Sequence, residues 1–111
     1  LFYFLYLIYN DEMQNLSLNS IHEEIWNLLK NAIDDISSAF HFPNLATISL
    51  DMNPTSRTVV LRNDALDLCK INFRRVDIHI EWIDWLYLLH TGHRRAKFSY
   101  ETEIKMNWLA P

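Results

Sequence analysis

Arg57 and Arg62 close a run of β-forming residues in "TSRTVVLRND", and a second group of cations, "HTGHRRAK" (90–97), follows it. A phosphate monoester carries about −1.5 to −2 charges near neutral pH and is held best by converging cations and hydrogen-bond donors. Arg57, Arg94, Arg95, Lys97 and the Thr91 hydroxyl have that chemistry. The same residues also fit a set of solvated charges at strand ends. With 10 Lys and Arg against 14 Asp and Glu, the net charge is −4, so nothing pulls the chain as a whole toward nucleic acid or anionic lipid. An anion site must therefore be local. A single glycine, Gly92, rules out a glycine-rich phosphate loop. His90 and His93, with His79 and Glu81, lack the spacing of a metal centre, and none is expected. Asp34 and Asp35 are adjacent on a helical pattern, so they do not face each other as a catalytic pair. No residue is assigned a catalytic role.

The elements that must position these cations follow from periodicity. "SIHEEIWNLLKNAIDDI" has a capping-box pattern in Ser20 and Glu23 and an apolar stripe of Ile21, Ile25, Leu28, Leu29, Ala32, Ile33 and Ile36, which predicts one helix. Asp34 and Asp35 sit at its unfavourable C-terminal end, where fraying is expected. "SSAFHFPN" leads out as a loop. "LATISL" (45–50) and "SRTVVLR" (56–62) read as a hairpin around "DMNPT", with Arg57, Val59 and Leu61 on one face and Thr58, Val60 and Arg62 on the other. "LDLCKINF" and "VDIHIEW" read as further strands. "WLYLLHT" fits a buried strand or a short helix, "RRAKFSYETEI" has a helix-compatible composition, and "IKMNWLA" fits a closing strand. Gly92 marks a turn that needs a positive φ.

A length of 111 residues, half of them apolar, gives one globular domain, 20–111, behind an N-terminal extension, 1–19. The lone Cys69 cannot form an internal disulfide and reads as a small buried hydrophobe, which makes the cytoplasm the expected compartment. "LFYFLYLIY" is shorter than the roughly 20 residues of a membrane helix and lacks the features of a signal peptide, so no membrane association is expected. Met13 is the expected natural start.

The hairpin "LATISLDMNPTSRTVVLR" together with "HTGHRRAK" resembles the pyridoxamine 5′-phosphate oxidase-like family of FMN-binding split barrels, whose members show "LATV…G.P..RTVVLR" and then an "HTDxRSxK"-like segment. The likeness runs from about Ile21 to Leu109 and includes the upstream helix with Trp26. It implies an α+β fold, mainly antiparallel β, in which a partial split barrel carries an N-terminal helix. It implies FMN as cofactor, with Arg57 on the phosphate and Thr58, Val59, Val60 and Leu61 along the flavin, largely through backbone groups. Arg62 would lie near cofactor and substrate, His90 and Thr91 by the flavin or ribityl chain, Arg94 at the motif's arginine, and Lys97 on the phosphate. The activity implied is flavin-dependent oxidation of a small-molecule donor.

The chain departs from the family pattern at named places. Gly92 stands for the usual Asp or Asn, and Arg95 for the usual Ser, removing one hydroxyl. Residues 63–89 form a longer link than the family's. The strands that follow in the family would lie beyond Pro111, so a truncated barrel with open edges is expected, and open edges favour a homodimer. The alternative is a split-barrel remnant or dimerisation module without flavin.

Overall fold

The computed structural model describes residues 5–7 (as backbone), 16–62 and 79–110. "LDLCKINF" with Cys69, the start of "VDIHIEW", and Met13 lie outside the described residues. Among the described residues the chain is α+β: strands β1 (Leu5–Leu7), β2 (Asn44–Ile48), β3 (Pro54–Thr58), β4 (Trp82–Tyr87), β5 (Arg94–Tyr100) and β6 (Ile104–Leu109), with one α-helix, α1 (Leu18–Asp34), and a 3-10 turn at Ala39–His41. One sheet has the order β1-β4-β5-β6 and the other is the pair β2-β3; β2 to β6 pair antiparallel, while β1 runs parallel to β4. Among the described residues neither sheet closes into a barrel. The chain divides into two compact units, residues 1–26 with 80–111, and residues 27–79.

Helix α1 buries Ile21, Ile25, Leu29 and Ala32, four of the seven residues of the predicted stripe, while Leu28 and Ile33 are half-buried. Its cap is one turn earlier than the Ser20 and Glu23 pattern suggests. The Ser20 backbone N–H donates to Ser17 Oγ at 3.2 Å, and the Ile21 N–H makes the first helical bond, to Ser17 O at 3.0 Å. Ser17 is thus the N-cap, satisfying a donor that a helix start leaves without an internal partner. At the other end Asp35 Oδ1 accepts from the Ser37 backbone N–H at 3.0 Å and from Ser37 Oγ–H at 2.6 Å. That local turn competes with another helical turn and leaves Ile36, expected in the stripe, 75% exposed.

In the unit of residues 80–111 with 1–26, the strict two-residue alternation of β4 and β5 sorts the sheet into two faces. Ile83, Trp85, Tyr87, Ala96 and Phe98 are fully buried on one, and the register places Ile83 beside Phe98 and Trp85 beside Ala96. Burying aliphatic and aromatic side chains such as Ile83 and Phe98 stabilises by roughly 1.5–3 kcal/mol each. "RRAKFSYETEI", whose composition suits a helix, is instead β5 and the turn after it. Pairing with β4 on one side and β6 on the other satisfies its backbone, and burial of Ala96 and Phe98 overrides local propensity. "WLYLLHT" resolves into the end of β4 and the following turn, and "IKMNWLA" forms β6 as expected. "VDIHIEW" differs: β4 begins only at its last residue, Trp82.

In the unit of residues 27–79, β2 and β3 form the predicted hairpin, with Leu45 opposite Arg57 and Thr47 opposite Thr55. Its loop is Leu50 to Met52: the Met52 N–H bonds Ser49 O, the Ser49 N–H bonds Asn53 O, each at 2.9 Å, and Met52 has φ +63°. This is the three-residue hairpin loop whose last position is left-handed. His41, buried, places Nδ1 2.5 Å from Ala32 O, so the ring donates to a carbonyl near the C-terminus of α1 that has no helical partner.

Candidate functional site

Within the hairpin unit, Arg57 lies on β3, exposed, on the same face as Leu45 and Thr47. Its Nη2 donates to Thr47 Oγ1 at 3.3 Å, and Thr47 Oγ1 is 2.9 Å from Thr55 Oγ1. No carboxylate pairs with it among the described residues. The extended pairing continues past β3: the Val59 N–H donates to Pro43 O at 2.9 Å and the Leu61 N–H to His41 O at 2.8 Å. In an antiparallel ladder successive residues turn their N–H and C=O groups to opposite edges. The N–H groups of Val59 and Leu61 are therefore used inside the hairpin, and those of Thr58, Val60 and Arg62 face the other edge of this extended segment. Thr58 Oγ1 donates to Asn44 Oδ1 at 3.0 Å, and Arg62 is exposed. Of four residues expected along the flavin through backbone groups, two have their N–H already engaged.

Within the sheet unit, His90 and Thr91 form the exposed tip of the β4–β5 connection. The Gly92 N–H donates to Leu89 O at 3.3 Å, and the Leu89 N–H donates to His93 Nδ1 at 3.1 Å, closing the turn. Gly92 has φ +145°, where an L side chain is strained although open space surrounds the position, so the turn does require a glycine. Alternation along β5 separates the cations of "HTGHRRAK". Arg94 lies on the face of Trp85 and Trp108; it donates from Nη2 to Leu16 O at 3.0 Å, with its guanidinium carbon 4.3 Å from the Trp108 ring centre. Arg95 and Lys97 lie on the other face. Arg95 Nε donates to Asp84 Oδ1 at 2.9 Å and Nη2 donates to Asp84 Oδ2, a two-point ion pair that holds the guanidinium protonated above its usual range, first through those hydrogen bonds and then through charge. The Lys97 ammonium sits 4.9 Å from the centre of the Trp82 ring.

No protein-family model, curated protein or solved structure matches the chain. What can be said of its chemistry therefore rests on its own side chains.

A third cluster, in the sheet unit, escaped the sequence reading. Trp26 Nε1–H lies 2.9 Å from the Tyr100 hydroxyl oxygen and 3.2 Å from His22 Nε2, while His22 Nε2 and the Tyr100 hydroxyl oxygen are 2.6 Å apart. Indole only donates, so its N–H is shared between the two acceptors and the Tyr100 hydroxyl donates to His22 Nε2. That makes Nδ1 the protonated nitrogen of a neutral ring. Desolvation lowers the His22 pKa, with the Glu23 charge opposing, and desolvation raises that of Tyr100, with the Trp26 hydrogen bond opposing. The ring also lies 5.3 Å from Phe98. The i, i+4 spacing of His22 and Trp26 was visible in the sequence; the third member, on β5, was not. Among the described residues no group of side chains could hold a metal ion, and no helix is long and apolar enough to cross a membrane.

Proposed function

We propose that the chain is an FMN-binding, pyridoxamine 5′-phosphate oxidase-like protein, a partial split barrel that works as a homodimer in the cytoplasm and, where catalytically competent, oxidises a small-molecule donor. The observation that carries this reading is the "RTVVLR" hairpin: an antiparallel pair presenting Arg57 exposed, with no carboxylate partner among the described residues, beside two hydroxyls. Such a guanidinium retains most of its five N–H donors for an anion. Arg57 would hold the FMN phosphate, and the outward backbone groups of Thr58 and Val60 would meet the flavin. Arg62, further along the same segment, would lie near the substrate. Bound flavin would supply the redox chemistry; the protein would bind and orient it.

The second reading, an interaction module without flavin, is favoured by the state of the other cations. Arg95 is neutralised by Asp84, and Arg94 is turned to the opposite face from Lys97. Absorbance of the purified protein in the flavin bands, followed by titration with FMN, separates the two. Saturable binding that is weakened at least tenfold by Arg57→Ala supports the flavoprotein; a colourless protein whose spectrum and mass ignore added FMN leaves the interaction module.

A further inference from the structure

We infer that Tyr100 is an acyl-accepting nucleophile with His22 as its general base, a modification site for activated acyl donors such as esters of acidic phenols. The cluster belongs to the sheet unit, and its chemistry does not depend on flavin. Two elements build it. The i, i+4 spacing on α1 puts His22 and Trp26 on one face of the helix, and Tyr100 closes β5, where its backbone N–H donates to Glu81 O at 2.8 Å. Phe98, fully buried, lies 5.3 Å from the imidazole and backs it, while the Trp26 and Tyr100 rings meet edge-on with their centres 6.0 Å apart.

A phenol alone is a poor nucleophile near neutral pH, because its ordinary pKa is about 10. A base in hydrogen-bond contact removes that limit by taking the proton as the new bond forms. The Tyr100 hydroxyl donates to His22 Nε2 across 2.6 Å, and desolvation, opposed by the Glu23 charge on the same helix, keeps that nitrogen free of a proton at neutral pH. The Trp26 N–H, 2.9 Å from the phenolic oxygen, holds it in line with the base. In the step the Tyr100 oxygen bonds to the acyl carbon, the bond from that carbon to the leaving oxygen breaks, and the phenolic proton passes to Nε2 and then to solvent. Nothing is oxidised or reduced, and the product is an aryl ester on Tyr100. All three side chains are half-buried rather than sealed, so a small acyl donor reaches the oxygen. Burial raises the Tyr100 pKa, with the Trp26 hydrogen bond opposing, so a route through free phenolate would make this residue slower than an exposed tyrosine. The two routes therefore predict opposite rates.

The full chain is treated with p-nitrophenyl acetate across about pH 5 to 9, and acetylation of Tyr100 is followed by peptide mass spectrometry beside the model phenol N-acetyltyrosinamide. Tyr87, 1% exposed on the same face of the sheet, is the internal control. General-base assistance is worth about 10²–10⁴-fold in rate. The expected result is Tyr100 acetylation at least about tenfold faster than the model phenol at pH 7, level between about pH 6.5 and 8 and falling below about 6.5 as His22 takes up a proton, with Tyr87 unlabelled. His22→Gln should slow the reaction at least about tenfold and leave a rate that climbs steadily with pH. A Tyr100 no faster than the model phenol, or a wild-type rate that climbs without a plateau as phenolate forms, overturns the inference. So does a His22→Gln variant that keeps the wild-type rate with Tyr87 unlabelled. Labelling of Tyr87 in that variant signals lost folding, and the wild-type pH profile then decides alone.

Discussion

The β2–β3 hairpin and the β4–β5–β6 sheet use the same antiparallel geometry for opposite ends. Every residue of β3 is exposed, and the hairpin's side chains offer hydroxyls, an amide and a guanidinium with no carboxylate partner among the described residues. In the sheet, β4 alternates half-buried and buried residues without a break, and the cations of β5 are occupied by Asp84, Trp82 and Trp108. A strand whose cations have partners is built for stability. One whose cation has no charged or aromatic partner among the described residues leaves donors for something else. The difference shows why charge counting alone cannot find a site: Arg57 and Arg95 are the same residue type on the same kind of strand, and only their neighbours separate them.

The sharpest way to break this contrast is to hollow each region in turn. Phe98→Ala removes a fully buried ring and should cost about 3–5 kcal/mol in urea unfolding, whereas Ile48→Ala, at a position 66% exposed, should stay within about 0.5 kcal/mol. Comparable losses at the two positions would end the distinction between a packed sheet and a presenting hairpin. Next in size, Tyr100→Phe should destabilise by about 1 kcal/mol, because the hydroxyl is lost to His22 while the Trp26 N–H keeps the imidazole as acceptor. A loss no larger than that of a surface substitution would remove the cluster from the list of supports for α1.

In the hairpin the sign should reverse. Met52 holds a left-handed conformation that costs an L residue roughly 1–2 kcal/mol, so Met52→Gly should raise stability, by up to about 1 kcal/mol after the added freedom of the unfolded chain. A fall in thermal midpoint would show that Met52 contributes contacts worth more than its strain.

The smallest effect is a pH dependence. The His22 pKa is lowered in the folded state from its ordinary value of 6.5, so below that value the unfolded chain takes up the proton first. The contribution of the neutral ring is fully present above about pH 6.5 and is lost as pH falls from there through the lowered folded value. Urea midpoints of the wild type and His22→Gln, compared at pH 7.5 and 5.5, should show the wild type falling further. Parallel curves would assign the pH dependence to other groups.

Local patterns carried much of this molecule, and they did so where one segment contains its own answer. The helix stripe of Ile21, Ile25 and Ala32, the hairpin faces around Arg57, the turn at Gly92 and the strand at "IKMNWLA" all follow from period and turn chemistry within a few residues. The helical composition of "RRAKFSYETEI" misled because strand formation there depends on partners on both sides, β4 and β6, which no window of the segment includes. The cap at Ser17 displaced the pattern at Ser20 because where a helix starts depends on which side chain meets a free N–H, a matter of geometry rather than of spacing alone.

For the candidate site the division is similar. From the residues came which side chains can bind an anion: Arg57, Arg94, Arg95, Lys97 and a hydroxyl. Only the tertiary structure decided which of them are spoken for. Two-residue alternation sends Arg94 and Lys97 to opposite faces, Asp84 from the neighbouring strand neutralises Arg95, and Thr47 and Thr55 meet Arg57 through cross-strand register. Charge type is a property of one residue, whereas availability of a charge depends on neighbours that chain folding brings within a few ångströms.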